Sequence, residues 1–305
     1  MQIGRRLDPY MTYELLKRCC QVVLISLFFC TFISSNANAQ IIIETLPSGV
    51  RVNANFHEGD PAKPAVLLLH GFLTTYNFNT VYGIFNLLAD KNYTVVAPNL
   101  SLGINQRMSG LHCDAIHIHN MEDDLKEVAW WVDWLTTRGH EKIILIGHST
   151  GSLHLVVYAS RSPNKAVKLV IATSLTSFQR GDEHADSVTK SDVQRAKKLQ
   201  AKGDKSLNQY SISYCRENFV APADVFLSYA YWSGKKVLQA VQNTKVPLDI
   251  ILAGKDPRFD KQWSDKLRNA GASVAVVKNA SHFFDDEYEF DLHDRISTSI
   301  ENMDN

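Results

Sequence analysis

The chain has 305 residues, 45% of them hydrophobic and 21% charged, a globular composition with enough length for one large domain or two small ones. Its 32 basic and 32 acidic side chains cancel, which argues against binding driven by charge to nucleic acid or to an anionic membrane surface. There is no internal repeat and no low-complexity segment.

In chain order, the first segment reads as a leader. Arg5, Arg6, Lys17 and Arg18 precede an apolar run from Val22 to Ile33, and small polar residues end in Ala37-Asn38-Ala39. A basic stretch, a short apolar stretch and an A-x-A site make a secretory signal peptide over residues 1–39, cut before Gln40. The apolar run is too short to span a bilayer comfortably, so no stable membrane anchor is expected after cleavage. Met11 is an alternative start, and Phe29 before Cys30 does not suit a lipoprotein site. The expected destination is secreted or periplasmic. Of the cysteines, Cys113 and Cys215 stay in the mature chain, where an oxidising compartment would permit them to pair; their spacing in sequence leaves pairing open.

The mature domain, residues 40–305, opens with Ile41–Glu44 and Val50–Asn55 flanking the turn "LPSG", a hairpin. "AVLLLHGF" is then a buried strand, and Val81, Ile84, Phe85 and Leu88 mark a helix. "YTVVAPNL" is a strand, followed by a helix with apolar residues at Met121, Leu125, Val128, Val132 and Leu135 and Gly139 at its end. "KIILIGHS" is a strand running directly into a helix over Ser152–Ser160. "AVKLVIATSL" and "PLDIILAG" are further strands, "FDKQWSDKLRNAG" a helix, "ASVAVVKNASHFF" a last strand with its loop, and Asp291 to Met303 a final helix.

Strand and helix alternate from about Ala65 onward, and continuous apolar strands suit a parallel sheet covered on both faces. The expected fold is α/β, a three-layer sandwich with a mostly parallel sheet and an antiparallel hairpin at one edge. About 70 residues between "IATSLTSF" and "PLDIILAG" show no clear strand. They read as a helical cap insertion over about 176–246, with a solvated face at Lys190 to Lys202. Its aromatic residues Phe226, Tyr229, Tyr231 and Trp232 suit either an apolar pocket or packing of the cap on the core.

Chemistry enters at "GHSTG", Gly147 to Gly151, a G-x-S-x-G pattern between a strand and a helix. The pattern alone is weak; its setting makes it a nucleophile elbow, with Ser149 held at a helix N-terminus that favours developing negative charge. A serine needs a base, and the base needs an orienting carboxylate. His282 follows the last strand, and Asp256 follows "PLDIILAGK", giving the chain order Ser, acid, His. Asp260 is the rival acid; Asp256 is preferred because it lies directly off the strand end. The oxyanion donors expected are the backbone N–H groups of Thr150 and of Phe72 in "HGFL". His70 and His148 end strands and read as structural or pocket-lining.

These motifs together, "LLLHGF", "LIGHSTG", "ILAGKDP" and "NASHFF" in order from Ala65 to the C-terminal region, resemble the α/β-hydrolase fold superfamily, in particular its capped serine esterases and lipases. The resemblance implies a Ser149–Asp256–His282 triad acting on a small-molecule carboxylic ester with no cofactor. Relatives often carry an acid after the fourth strand where this chain has Asn99 in "PNLSLGINQR", so the epoxide- and haloalkane-type enzymes are poor guides. The same triad would also serve amide or C–C bond hydrolysis, and a non-catalytic binding protein could use the same scaffold. His112, Cys113, His117 and His119 lie within one short stretch, but their spacing matches no closed structural zinc site and no metal is expected there.

Overall fold

The computed structural model describes residues 39–178, 187–258 and 262–303. The leader reading, and Asp260 as the rival acid, lie outside these residues. Strands β1 (Gln40–Thr45) and β2 (Arg51–His57) form the edge hairpin, and β3 (Ala65–Leu69), β4 (Val95–Asn99), β5 (Ile143–His148), β6 (Val167–Thr173), β9 (Leu248–Ala253) and β10 (Ser273–Val277) complete one eight-stranded sheet. Its order is β1-β2-β4-β3-β5-β6-β9-β10, with β1, β2 and β4 paired antiparallel and every later pairing parallel.

Period-two alternation divides each central strand between two cores. Val66 and Leu68 of β3 face one side with Ile144 and Ile146 of β5; Leu67, Leu69 and Leu145 face the other. The first side is covered by α1 (Asn79–Asp90) and α8 (Tyr288–Met303), through Ile84, Phe85, Leu88, Leu292 and Ile296. The second is covered by α2 (Met121–Thr137), α3 (Thr150–Ser160), α6 (Gly234–Asn243) and α7 (Trp263–Asn269). This is the three-layer sandwich expected. Helix α2 begins where the sequence demands: the Asn120 side chain accepts hydrogen bonds from the N–H groups of Glu122 and Asp123 at 2.9 and 3.1 Å, and Glu122, Asp123 and Asp124 sit in the positively polarised first turn.

The insertion between β6 and β9 departs from the expectation of a purely helical cap. It holds α4 (Ser187–Ala201) and α5 (Ala223–Ala230), but between them runs an antiparallel ribbon, β7 (Asn208–Ile212) and β8 (Cys215–Ala221). The intervening pair Ser213-Tyr214 forms a tight turn with Ser213 at φ 54°. The strands were hidden because "NQYSISYCRENFVA" mixes polar and apolar residues, and β7 is buried against α4 and α5, and β8 through Phe219 against His117 and Phe72, rather than in the main sheet. A disulfide joins Cys113 to Cys215, across 102 residues of chain, and so ties the ribbon to the loop that precedes α2. Among the described residues no helix is long and apolar enough to cross a membrane.

Candidate active site

The strand β5 ends in a turn so sharp that both glycines of the motif are required. A Cβ on Gly147 would lie 2.6 Å from the Gly151 carbonyl carbon and the Ser152 nitrogen; one on Gly151 would lie 2.5 Å from the His70 carbonyl oxygen at the end of β3. Ser149 between them takes φ 57° and ψ −119°, a conformation that costs an L-residue roughly 1–3 kcal/mol. The surroundings hold it there. Ser149 N–H donates to the Thr173 carbonyl at 2.9 Å, and the single Ser152 hydroxyl proton is shared between the carbonyls of Gly147 and Thr173, 2.6 and 2.8 Å from Oγ.

His282 reaches this serine from the loop after β10. Its Nε2 lies 2.9 Å from Ser149 Oγ, and its Nδ1 is hydrogen-bonded to Asp256 Oδ2 in the loop after β9. The two loops are fixed together: Lys255 N–H donates to the Ala280 carbonyl at 3.0 Å, and Ser174 Oγ donates to the His282 carbonyl at 2.8 Å. Asp256 Oδ1 accepts from the Arg258 backbone N–H at 3.0 Å and from its Nη1 at 3.3 Å. Burial alone would raise the Asp256 carboxyl, but the His282 hydrogen bond and charge, with Arg258, hold it below the ordinary carboxylate range. Burial lowers the His282 imidazole, and Asp256 offsets this only in part. The pair therefore stands as carboxylate and neutral imidazole near pH 7, with Nε2 free to accept a proton from the serine.

The residues expected to donate to an oxyanion flank Ser149. Thr150 is the first residue of α3, so its N–H has no carbonyl one turn earlier. Phe72 N–H meets no acceptor among the described residues. The Gly71 carbonyl on the same peptide unit is held by His70 Nδ1 at 2.8 Å and Thr74 Oγ1 at 3.2 Å, and the Phe72 carbonyl accepts from Tyr214 Oη at 3.1 Å. His70 can make its bond only as the neutral Nδ1–H tautomer, because its Nε2 accepts from Leu100 N–H and Arg107 Nη2 at 3.0 and 3.1 Å. Burial, helped by the Arg107 charge, lowers this imidazole to about 3. His70 is thus a structural pin for the loop, as its position in sequence indicates.

A cavity of about 240 Å³ opens over Ser149 and His282. Phe72, Phe78, Tyr214 and Phe283 supply its apolar wall; Thr74, Ser213, His148 and Arg258 supply polar atoms. His148 is fully buried and burial keeps it neutral, with its ring 5.2 Å from that of His282. The aromatic residues Phe226, Tyr229, Tyr231 and Trp232 of the cap are not in this wall. Phe226 is stacked on Tyr210, Tyr229 is buried with its hydroxyl on Asp124 Oδ2 at 2.6 Å, and Tyr231 is exposed. For Phe226 and Tyr229, packing of the cap is the one of the two readings that the structure adopts. The cap enters the site instead through Ser213 and Tyr214, at a turn that sequence reasoning missed; Arg258 was missed as well, although it stands two residues after the acid.

Asn99 is used within the scaffold: its Nδ2 donates to Asn53 Oδ1 and to the Arg107 carbonyl, both at 2.9 Å. In the histidine-rich stretch, Cys113 is consumed by the disulfide and His117 stacks on Phe219 at 4.2 Å. His119 joins a buried knot with Asp124, His154 and Tyr229 that fastens α5 of the cap to α2 and α3. Sequence reading did not find this knot.

The strand order, the elbow at Ser149 and the loops bearing Asp256 and His282 all follow one architecture, and the family model of the alpha/beta hydrolase fold matches residues 64–205. The chain is an α/β-hydrolase-fold protein. Solved structures agree over nearly its whole length. The alpha/beta hydrolase GrgF from Penicillium sp. sh18 superposes with a TM-score of 0.66 at 12% identity, covering 87% of this chain and 99% of its own. Est1E from Butyrivibrio proteoclasticus gives 0.60 at 13% identity, with coverage of 87% and 99%. An esterase from Pyrococcus furiosus gives 0.60 at 15% identity, with coverage of 88% and 91%. At such identities the likeness is one of fold. No curated protein sequence matches this hydrolase-fold chain.

Proposed function

We propose that this chain is an exported serine hydrolase that cleaves a small carboxylic ester. The observation that carries the reading is the continuous contact from Ser149 Oγ through His282 to Asp256, with Nε2 and Nδ1 of one imidazole facing the two partners. In this mechanism His282 Nε2 takes the serine proton as Oγ attacks the ester carbonyl, and Asp256 fixes the tautomer and stabilises the imidazolium. The N–H groups of Phe72 and Thr150 receive the oxyanion. Collapse expels the alcohol, protonated by His282, and leaves an acyl group on Ser149. Water, deprotonated by His282, attacks this acyl-enzyme and releases the acid. The esterase fold neighbours favour an ester over an amide, and the Cys113–Cys215 disulfide favours an oxidising destination, secreted or periplasmic.

A fluorophosphonate probe tests the reading. Labelling should occur on Ser149, be lost in Ser149→Ala, and coincide with hydrolysis of short-chain esters. A folded protein that neither labels nor hydrolyses would be a binding protein on this scaffold. Hydrolysis of amides in preference to esters would move the substrate class while keeping the triad.

A further inference from the structure

Among the described residues lining the cavity, Arg258 alone carries a permanent charge. The esterase mechanism does not need it. Asp256 already has His282 on one oxygen and the Arg258 backbone N–H on the other, and the guanidinium adds only a long contact through Nη1 at 3.3 Å. The rest of the guanidinium fork finds no acceptor among the described residues, while its plane rests 5.5 Å from the centre of Phe283, another wall of the cavity. The side chain is 29% exposed, so it is partly withdrawn from water yet open to the cavity.

Such a charge is a liability for a neutral substrate. His282 must become an imidazolium in the transition state, and a cation nearby opposes that change; after burial, the Arg258 charge is among the causes that keep both His148 and His282 neutral. An anion seated on the guanidinium would cancel this field and supply the fork with the planar acceptor it fits. We infer that the preferred substrate is an acidic ester, one carrying a carboxylate within a few bonds of the scissile carbonyl, with Arg258 as the residue that selects it. The inference rests on the esterase reading above and narrows it.

The test compares near-isosteric esters by titration of released acid: monomethyl succinate against methyl butyrate for a carboxylate on the acyl side, and acetoxyacetate against propyl acetate for one on the alcohol side. The acidic member of at least one pair should be favoured at least tenfold in kcat/KM, the preference should shrink as salt is raised, and Arg258→Gln should abolish it. The ratio is the readout, because any disturbance of Asp256 by the substitution lowers both members of a pair alike. Equal use of both pairs by the wild type, or an unchanged ratio in Arg258→Gln, overturns the inference and leaves Arg258 as a support for Asp256. Should no ester be cleaved, the esterase reading fails separately, and calorimetric titration of the full chain with succinate decides the matter. Binding that weakens at least tenfold in Arg258→Gln upholds an anion site; absence of binding removes it.

Discussion

In the proposed mechanism Ser149 combines a strained backbone with a reactive side chain, and the two can be tested apart. Ser149→Ala should lower ester hydrolysis on the order of 10³-fold or more, because the serine, histidine and aspartate act as a unit. Ala keeps the strain at φ 57°, whereas glycine adopts that region freely. Ser149→Gly should therefore be as inactive as Ser149→Ala but more stable by about 1 kcal/mol, visible as a higher melting temperature. Equal melting of the two variants would mean that the elbow stores no strain. In the proposed mechanism His282 sets the acid limb of activity. Burial lowers its imidazole below the ordinary 6.5, so the neutral, working form persists below that pH and is lost only as pH falls through the lowered value. The kcat/KM profile should fall to half its plateau below pH 6.5, and Asp256→Asn should lose most activity at every pH because the tautomer is no longer fixed.

At the scale of elements, the β7–β8 ribbon is the part of the cap that meets the site. Tyr214 donates to the Phe72 carbonyl and packs on the Phe72 ring at 5.6 Å, next to the disulfide at Cys215. Tyr214→Ala should shift preference among acyl lengths more than it changes turnover of the shortest ester, since only longer chains would reach the lost wall. Phe226→Ala, buried against Tyr210, should instead lower stability by roughly 3 kcal/mol and leave the preference unchanged. A change in acyl preference in Phe226→Ala alone would restore the aromatic residues of α5 as pocket residues. Replacing both Cys113 and Cys215 by serine releases a loop of 102 residues, for which a loss of about 2–5 kcal/mol is expected in thermal melting, matched by the wild type under reductant.

For the whole molecule, buried ionisable groups dictate how stability follows pH. His70, lowered to about 3 by burial and Arg107, and His148, lowered well below 6.5 by burial, remain neutral in the folded chain. Below pH 6.5 the unfolded chain takes up those protons and the folded chain does not, so stability falls with pH. Glu127 works in the opposite sense: burial raises it to about 7 against an ordinary 4.5, so the folded chain gains a proton first and stability rises between those values as pH falls. His117, lowered to about 4 by burial, and His282 act in the same sense as His70 and His148, so the histidines outweigh the one glutamate and unfolding should become easier as pH falls from roughly 6 to 5. Melting scans at pH 7.5 and 5 check this; a higher melting temperature at pH 5 would show that Glu127 dominates.

The layered sheet was legible from the sequence because its strands are buried on both faces and read as unbroken apolar runs, as in "AVLLL" and "IILIG", while α1 and α2 carry one-sided stripes. Ser149 was legible because a local turn, with two glycines demanded by backbone contact, leaves a local signature. His282 and Asp256 were legible by their places after strands, and only the folded chain brings these two late loops to Ser149. Tertiary structure alone decided what faces the cavity. The ribbon turn at Ser213-Tyr214, the Cys113–Cys215 pairing, the knot around Asp124 and the opening of Arg258 onto the cavity over Ser149 all join segments far apart in sequence. Periodicity reports which face of an element is buried, but it carries no information on which distant element buries it.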